Sequence, residues 1–447
     1  GQTITLLGNC DLSEKTIKVN NNITLDLNGD TITGTDKATG SFALIEIQPG
    51  AELIIEDSSE PSTGNITLTS TNNREWNAYS SVISNQRGKL TVNGGTIEHL
   101  GGTDMAYGID NLTNGKGTYA ETVINGGTIK STYRGIRQFL NGIEAQNILT
   151  VNGGTIEGTN KSIWMQDPNK NANTGILTVG EEANLIGNVY LYVTPNSTSW
   201  PVEVSIAAGA LAEGSEIITG NVPAGYELKL VDGVYSVCSV EAKIGEVTYA
   251  TLAAAVNAAN EGDTITLVTN ITFTEATRTH NSGSWYDGLY YIGDKSFTID
   301  LDGYTIGHDN SVNDYLLNFK NDGAKANVIN LINGTIEAGS TAYCALATSS
   351  SNDNKMTINT ENINFVGNNS GGAVLKIRGG AELNVNAGTE ITGKDSYVGI
   401  ECYGATVNIY DGAEIYQNGT TSYNGCLVGV SGNGTVNVYG GYGKGVS

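Results

Sequence analysis

The triplets Leu90-Thr91-Val92, Leu149-Thr150-Val151, Leu177-Thr178-Val179 and Val407-Asn408-Ile409 each alternate apolar with small polar residues. Period two of this kind marks short strands with one buried face. Two of the triplets run directly into the string Asn-Gly-Gly-Thr-Ile, which begins at Asn93, Asn125 and Asn152, 32 and then 27 residues apart. Asn-Gly and Gly-Gly supply the positive φ of a turn, after which Thr-Ile-Glu or Thr-Ile-Lys resumes the strand. Looser copies stand at Asn28-Gly29-Asp30-Thr31-Ile32, Asp302-Gly303-Tyr304-Thr305-Ile306 and Asn333-Gly334-Thr335-Ile336. Self-similarity at periods of ~20–50 residues denotes a solenoid, propeller or array. The intervals here are unequal and too short for four-stranded propeller blades. The pattern therefore predicts an all-β fold, a parallel β-helix with three short strands per coil. Ile97, Ile129 and Ile156 point inward at equivalent places, and Asn and Thr stack in ladders between coils.

A longer repeat lies above the short one. Gly1-Gln2-Thr3-Ile4-Thr5-Leu6 returns as Gly262-Asp263-Thr264-Ile265-Thr266-Leu267, and Ile23-Thr24-Leu25-Asp26-Leu27-Asn28-Gly29 as Phe297-Thr298-Ile299-Asp300-Leu301-Asp302-Gly303. The offsets are 261 and 274, so the second copy has gained 13 residues within Ile271 to Ser296. Two tandem modules follow, over 1–240 and 241–447. Tyr226 to Val237 reads as a hairpin turning at Asp232-Gly233 and closing the first module. One helix is predicted, Tyr249 to Asn260, with Tyr249, Leu252, Val256 and Ala259 as its apolar stripe, Thr248 as its cap and Gly262 at its end. It would cover the start of the second module, since a solenoid exposes an apolar cross-section at its ends. The first module has no such helix and the second no closing hairpin, which reads as a piece of a longer array.

Composition narrows the partners. The net charge is −23 and the pI about 4.4, with only 23 Lys and Arg. Nucleic acid is an unsuitable partner, because phosphate neutralisation needs a concentrated basic face. Docking on an anionic membrane is disfavoured for the same reason, and no apolar run reaches the ~18 residues of a span, so membrane insertion is not expected. Five cysteines (Cys10, Cys238, Cys344, Cys402, Cys426) show no metal spacing. Cys402 and Cys426, 24 residues apart, either stack on adjacent coils or serve as small apolar residues.

Val247-Thr248-Tyr249-Ala250-Thr251-Leu252-Ala253-Ala254-Ala255-Val256-Asn257-Ala258-Ala259, followed by Gly262-Asp263-Thr264-Ile265-Thr266-Leu267, resembles a module opening. It is similar to that of the pectate-lyase-like right-handed parallel β-helix modules in large surface proteins of Gram-positive gut bacteria. The Asn-Gly-Gly-Thr-Ile copies and the closing hairpin fit the same pattern over nearly the whole chain. The resemblance implies a right-handed coil and an extracellular location, secreted or on the cell surface. It implies a structural or adhesive rod with further modules in the parent chain, whose loops face glycans or host ligands. These motifs are structural, and fold alone assigns no activity.

Enzymes on this fold set the alternative, a polysaccharide lyase or glycoside hydrolase with an unrecognised site. Lyases place a basic residue beside Ca²⁺-binding carboxylates. The nearest basic cluster here is Tyr133-Arg134-Gly135-Ile136-Arg137, where Arg134 and Arg137 either grip an anionic sugar or lie as ordinary arginines on a solvated loop. No acid adjoins them in sequence. Hydrolases on the fold carry Asn-Thr-Asp, Asp-Asp, Gly-His-Gly and Arg-Ile-Lys; this chain has only Gly307-His308-Asp309 and Lys376-Ile377-Arg378. Paired carboxylates for acid–base work are thus not apparent, and no catalytic residue is assigned. His99, His280 and His308 lie far apart, and no metal site is expected. Ca²⁺ has oxygen ligands at Asn352-Asp353-Asn354, but neither an EF-hand nor a calcium-binding nonapeptide accompanies them. No cofactor is called for. The richest candidate is the insertion, where Arg278, His280, Trp285, Tyr286, Asp287, Tyr290 and Tyr291 gather rings and polar groups suited to a sugar surface. The same aromatics would alternatively pack the loop against the solenoid wall. Tyr397, Tyr403, Tyr410, Tyr416 and Tyr423 are expected to form packing rows.

Overall fold

In the computed structural model the isoleucines of the repeat stand directly above one another. Ile32, Ile66, Ile97, Ile129, Ile156 and Leu185 are successive register partners in parallel strands, and all six are buried. The structure describes residues 1–71, 78–102, 105–167, 173–193, 202–282, 285–323, 325–350, 355–418 and 426–445; at 167, 193, 280–282, 349 and 350 it describes the backbone only. The fold is a parallel β-solenoid with one short α-helix. Contacts divide it into two compact units, Gly1–Cys238 and Ser239–Ser447.

Each coil of the first unit runs through three short strands that stack into three parallel ladders. The glycines of the repeat explain the tight corner between the first and second ladders. Gly95, Gly127 and Gly154 have φ of +77°, +80° and +84°. A Cβ on Gly127 would sit 2.5 Å from the carbonyl oxygen of Gly95, and one on Gly154 2.6 Å from that of Gly127. Backbone therefore stacks on backbone, and only glycine fits. The preceding asparagines form the expected ladder, Asn152 donating to Asn125 and Asn125 to Asn93, each at 2.8 Å. A second ladder, buried inside the coil, links Asn85 to Asn111 at 2.9 Å and Asn111 to Asn147 at 2.6 Å. These amides satisfy one another where water is excluded. The third ladder carries Ile45, Ile83, Ile109, Ile136, Ile163 and Val189 inward. Strands Tyr226–Val231 and Val234–Ser239 pair as a hairpin through Asp232 and Gly233, both at positive φ. The second of them joins Val202–Ala207 in antiparallel fashion.

The second unit opens differently. Ala242–Ile244 pairs antiparallel with Val247–Tyr249 on one side and Thr264–Leu267 on the other. The helix spans only Leu252–Ala258, and its cap is Thr251, whose side chain accepts from the Ala254 N–H at 3.1 Å. The expected start at Tyr249 with Thr248 as cap is corrected here: both residues stay in the strand, where ladder hydrogen bonds compete with the helix. Leu252, Ala255, Val256 and Ala259 are buried in the apolar core of this unit. Three parallel ladders follow. Their inward columns include Ile271, Ile306, Ile336, Phe365, Ile391 and Ile415, and Leu289, Leu317, Leu346, Leu375 and Ile400. An asparagine ladder runs from Asn330 through Asn359, Asn384 and Asn408 to Asn437, with links of 2.8–2.9 Å.

The cysteines do not meet. Cys402 is buried opposite Val430, Cys426 is exposed opposite Val398, and all five are free thiols. Tyr410 stacks on Tyr439 and Tyr416 leans on Tyr442, as packing rows would, whereas Tyr397 and Tyr403 are exposed. Tyr423 and Asn352-Asp353-Asn354 lie outside the described residues.

Candidate functional site

In a strand, successive side chains point to opposite faces. Along the third ladder of the first unit, the inward column Ile83–Ile109–Ile136–Ile163 therefore puts its neighbours on the outer face. These are Ser84, Asp110, Arg137, Trp164 and Tyr190, each opposite the next on successive coils. Arg134 stands opposite Tyr107 on the same sheet. The reading of these arginines as solvated and without an acid nearby is thus corrected. Both lie on the strand Arg134–Ile143 and are buried, and Asp110 comes from the coil before.

The Arg137–Asp110 pair is a two-pronged fork, Nε to Oδ1 and Nη2 to Oδ2, each at 2.7 Å. Its guanidinium lies over the rings of Tyr107 at 4.5 Å, Phe139 at 4.6 Å and Tyr79 at 5.4 Å. Burial works against the Arg137 charge, but the Asp110 carboxylate more than offsets it and holds its pKa above the ordinary arginine value. Burial also raises the Tyr107 phenol, against the pull of both arginines. Arg134 has no carboxylate partner among the described residues. Its guanidinium stacks on Trp164 at 3.8 Å and Tyr133 at 4.4 Å. It donates to the hydroxyls of Tyr107 at 3.1 Å and Tyr133 at 3.2 Å. Nε of Arg134 and Nε1 of Trp164 are buried donors with no hydrogen-bond partner among the described residues. Beside this cluster is a cavity of about 410 Å³, lined by Tyr79, Met105, Arg137, Phe139, Trp164 and Gln166 among others. Rings and hydrogen-bonding groups converging on a cavity of this size are the makings of a small-ligand site.

Of this set only Tyr133, Arg134 and Arg137 were legible as candidates. The signal for the others was the repeat interval itself. Asp110, Arg137 and Trp164 are spaced by 27 residues, the interval between the second and third Asn-Gly-Gly-Thr-Ile copies.

The insertion in the second unit folds as a hairpin, His280–Ser282 against Trp285–Asp287. Arg278 stacks on Tyr286 at 3.7 Å and donates to the Ser311 carbonyl at 2.8 Å. Asp287 is buried and accepts from the Tyr315 N–H at 3.1 Å and from Asn318 at 3.0 Å. Tyr291 is buried edge-on against Phe297 and Phe319. Tyr290 is half-buried and Trp285 is 53% exposed. The His280 side chain lies outside the described residues. Arg278, Tyr286, Asp287 and Tyr291 thus fasten the hairpin to its own coil, and Trp285 projects from it. Among the described residues no group of three or more His, Cys, Asp or Glu side chains is placed to hold a metal ion. His308 is half-buried, its ring nitrogens 3.0 and 3.1 Å from the N–H groups of Asn310 and Gly339.

Comparison with known proteins gives no match: no family model, no curated protein and no solved structure is significantly similar to this chain.

Proposed function

We propose that this is an extracellular, surface-displayed β-solenoid that binds glycans on the outer face of the third ladder of its first unit. The observation that carries the reading is the convergence of Trp164, Phe139, Tyr79 and Arg137, itself held by Asp110, on one cavity. Flat rings match the C–H faces of a pyranose, and the polar groups beside them suit its hydroxyls. The net charge of −23 disfavours densely anionic polymers. The module opening at Val247 to Ala259 and the repeated coils support a structural or adhesive role in a larger surface protein of a Gram-positive gut bacterium, with further modules in the parent chain.

A glycan array probed with the whole chain and with Phe139→Ala tests this. Phe139 is only partly buried, so the variant should fold. The expected result is a restricted set of glycans bound by the wild type and weakened about tenfold or more by the substitution. A wild-type chain that holds no glycan, or a variant indistinguishable from it, overturns the reading. New reducing or unsaturated ends appearing on a bound polysaccharide would replace it with the enzyme alternative.

A further inference from the structure

The first unit's cavity is walled by neighbouring rows of one sheet face. Arg137 stands opposite Trp164 in one row and Phe139 opposite Gln166 in the next, so two rings occupy one diagonal and two hydrogen-bonding groups the other. Trp164 is held by the Arg134 guanidinium stacked on it at 3.8 Å. Gln166 is only 8% exposed, and its side chain makes no hydrogen bond to a described residue. Neither its amide oxygen nor its amide nitrogen is sealed in, so both open onto the cavity that it lines. Arg137 spends Nε and Nη2 on Asp110, which leaves the two N–H groups of Nη1 without an acceptor among the described residues on the same wall. An amide buried to that degree and unpaired costs free energy until a partner arrives. The corresponding rows of the second unit build no such square. There Lys376 stands opposite Glu401 and Arg378 opposite Tyr403, with the Lys376 ammonium over Tyr343 at 4.5 Å.

The unspent groups define what fits. Gln166 supplies one acceptor and two donors, and Nη1 of Arg137 supplies donors alone. The Arg137 charge is already matched by Asp110 at 2.7 Å. Met105 and Leu112 add an apolar wall. A neutral acetamido group completes this set: its N–H serves Gln166 Oε1, its carbonyl oxygen accepts from Gln166 Nε2 and Arg137 Nη1, and its methyl lies against the apolar wall. A hydroxyl in its place brings no carbonyl and no methyl. A carboxylate brings no donor for Gln166 Oε1 and meets the charge of Asp110 behind Arg137. We infer that the cavity reads an N-acetylated amino sugar, with Gln166 and Arg137 on the acetamido group and Phe139 and Trp164 beside the sugar ring. The inference rests on the glycan-binding reading of this cavity and names the sugar class. Gluco- and galacto-configured sugars present the same acetamido group on different frames.

Calorimetric titration of the whole chain with two matched pairs tests it: triacetylchitotriose against cellotriose, and methyl N-acetyl-α-galactosaminide against methyl α-galactoside. Within each pair acetamido groups are exchanged for hydroxyls and nothing else changes. At least one acetamido probe should bind about tenfold or more tightly than its counterpart, and the pair that shows it identifies the frame. Gln166→Leu, which keeps the bulk of the side chain, should cost that probe about tenfold, leave the counterpart within about twofold and so erase the preference. Phe139→Ala should weaken the same probe. The inference is overturned if neither acetamido probe is preferred, or if Gln166→Leu keeps the preference. Should Gln166→Leu fail to fold, a preferred probe whose binding Phe139→Ala leaves unchanged overturns the proposal by itself. Array glycans lost in Phe139→Ala, with no preference for either acetamido probe, would keep the cavity as a glycan site and strike only the sugar class. An array with no bound glycan strikes both.

Discussion

The two units use one backbone plan and finish its third ladder in opposite ways. In both, an acid and a base occupy adjacent coils of the same outward column, Asp110 and Arg137 in the first, Lys376 and Glu401 in the second. In the first the pair is closed, with both side chains buried and a fork of two 2.7 Å bonds. In the second the pair is open, 3.9 Å apart, with Glu401 side-chain exposure at 29% and shared with Arg378. The closed pair needs a planar, two-pronged cation, which arginine is and lysine is not. The same ladder position thus carries a tight two-pronged ion pair in one unit and a loose pair, whose carboxylate is shared with Arg378, in the other. Recognition on such a scaffold is decided by the outward residues, while the inward ones decide only the fold.

The first way to break the comparison is to attack what the units share. Ile129→Asp in the first and Ile336→Asp in the second each place a carboxylate in a fully buried column. Each should cost at least about 3 kcal/mol in denaturant unfolding, and a unit that tolerates the change does not have its core in that column. The next test separates the pairs. Asp110→Ala strands Arg137 in the interior and should cost about 3–5 kcal/mol. Glu401→Gln, at a partly solvated pair, should cost under about 1 kcal/mol. Equal costs would erase the distinction between closed and open.

What the sequence made legible follows from how local each signal is. Ile97, Ile129 and Ile156 were readable because alternation and an Asn-Gly-Gly turn lie within five residues and repeat. The aromatic and charged outer face was not, since Tyr107, Asp110, Phe139 and Trp164 meet only after the chain has travelled a full coil. Arg134 and Arg137 therefore looked solvated when taken alone. Lys376 was noticed within Lys376-Ile377-Arg378, but its partners Tyr343 and Glu401 stand on the coils before and after it. The helix start was misplaced because Thr248 and Thr251 are equal as caps, and only the antiparallel pairing of Val247–Tyr249 chooses between them.

Acid should divide the units at different pH values. In the second, burial lowers the pKa of His308 below its ordinary value, although Asp309 beside it pulls the other way. The unfolded chain then takes up the proton first. Stability from this residue is complete above pH ~6.5 and declines as pH falls through the lowered value. In the first unit, burial would raise Asp57, but hydrogen bonds from Ser62, Gly64, Gly29 and Ser59 outweigh it and bring the pKa to about 2. Its contribution is complete above pH ~4 and is lost only between there and about 2. The His308 contribution to the second unit should therefore fade at a higher pH than the Asp57 contribution to the first, and His308→Gln should flatten that earlier decline. A second unit as stable at pH 5 as at pH 7 would contradict the placement of His308.

The smallest structural effect, and the sharpest division of roles within the second unit, is expected at Trp285. The first unit crosses the equivalent stretch in 13 fewer residues, so the coil itself does not require the insertion. Its hairpin is held down by Arg278 on Tyr286, by Asp287 in its pocket of donors and by Tyr291 among phenylalanines. Trp285 takes part in none of these and is more than half exposed. Trp285→Ala should change stability by under about 0.5 kcal/mol, as for a surface site without special contacts. An exposed indole on a fastened hairpin is also the geometry of a binding anchor, worth roughly 1–3 kcal/mol to a ligand that covers it. Array signals that fall in Trp285→Ala while the melting temperature holds would make the hairpin a second contact surface. A fall in melting temperature with array signals intact would mean that Trp285, like its neighbours, fastens the insertion to the solenoid.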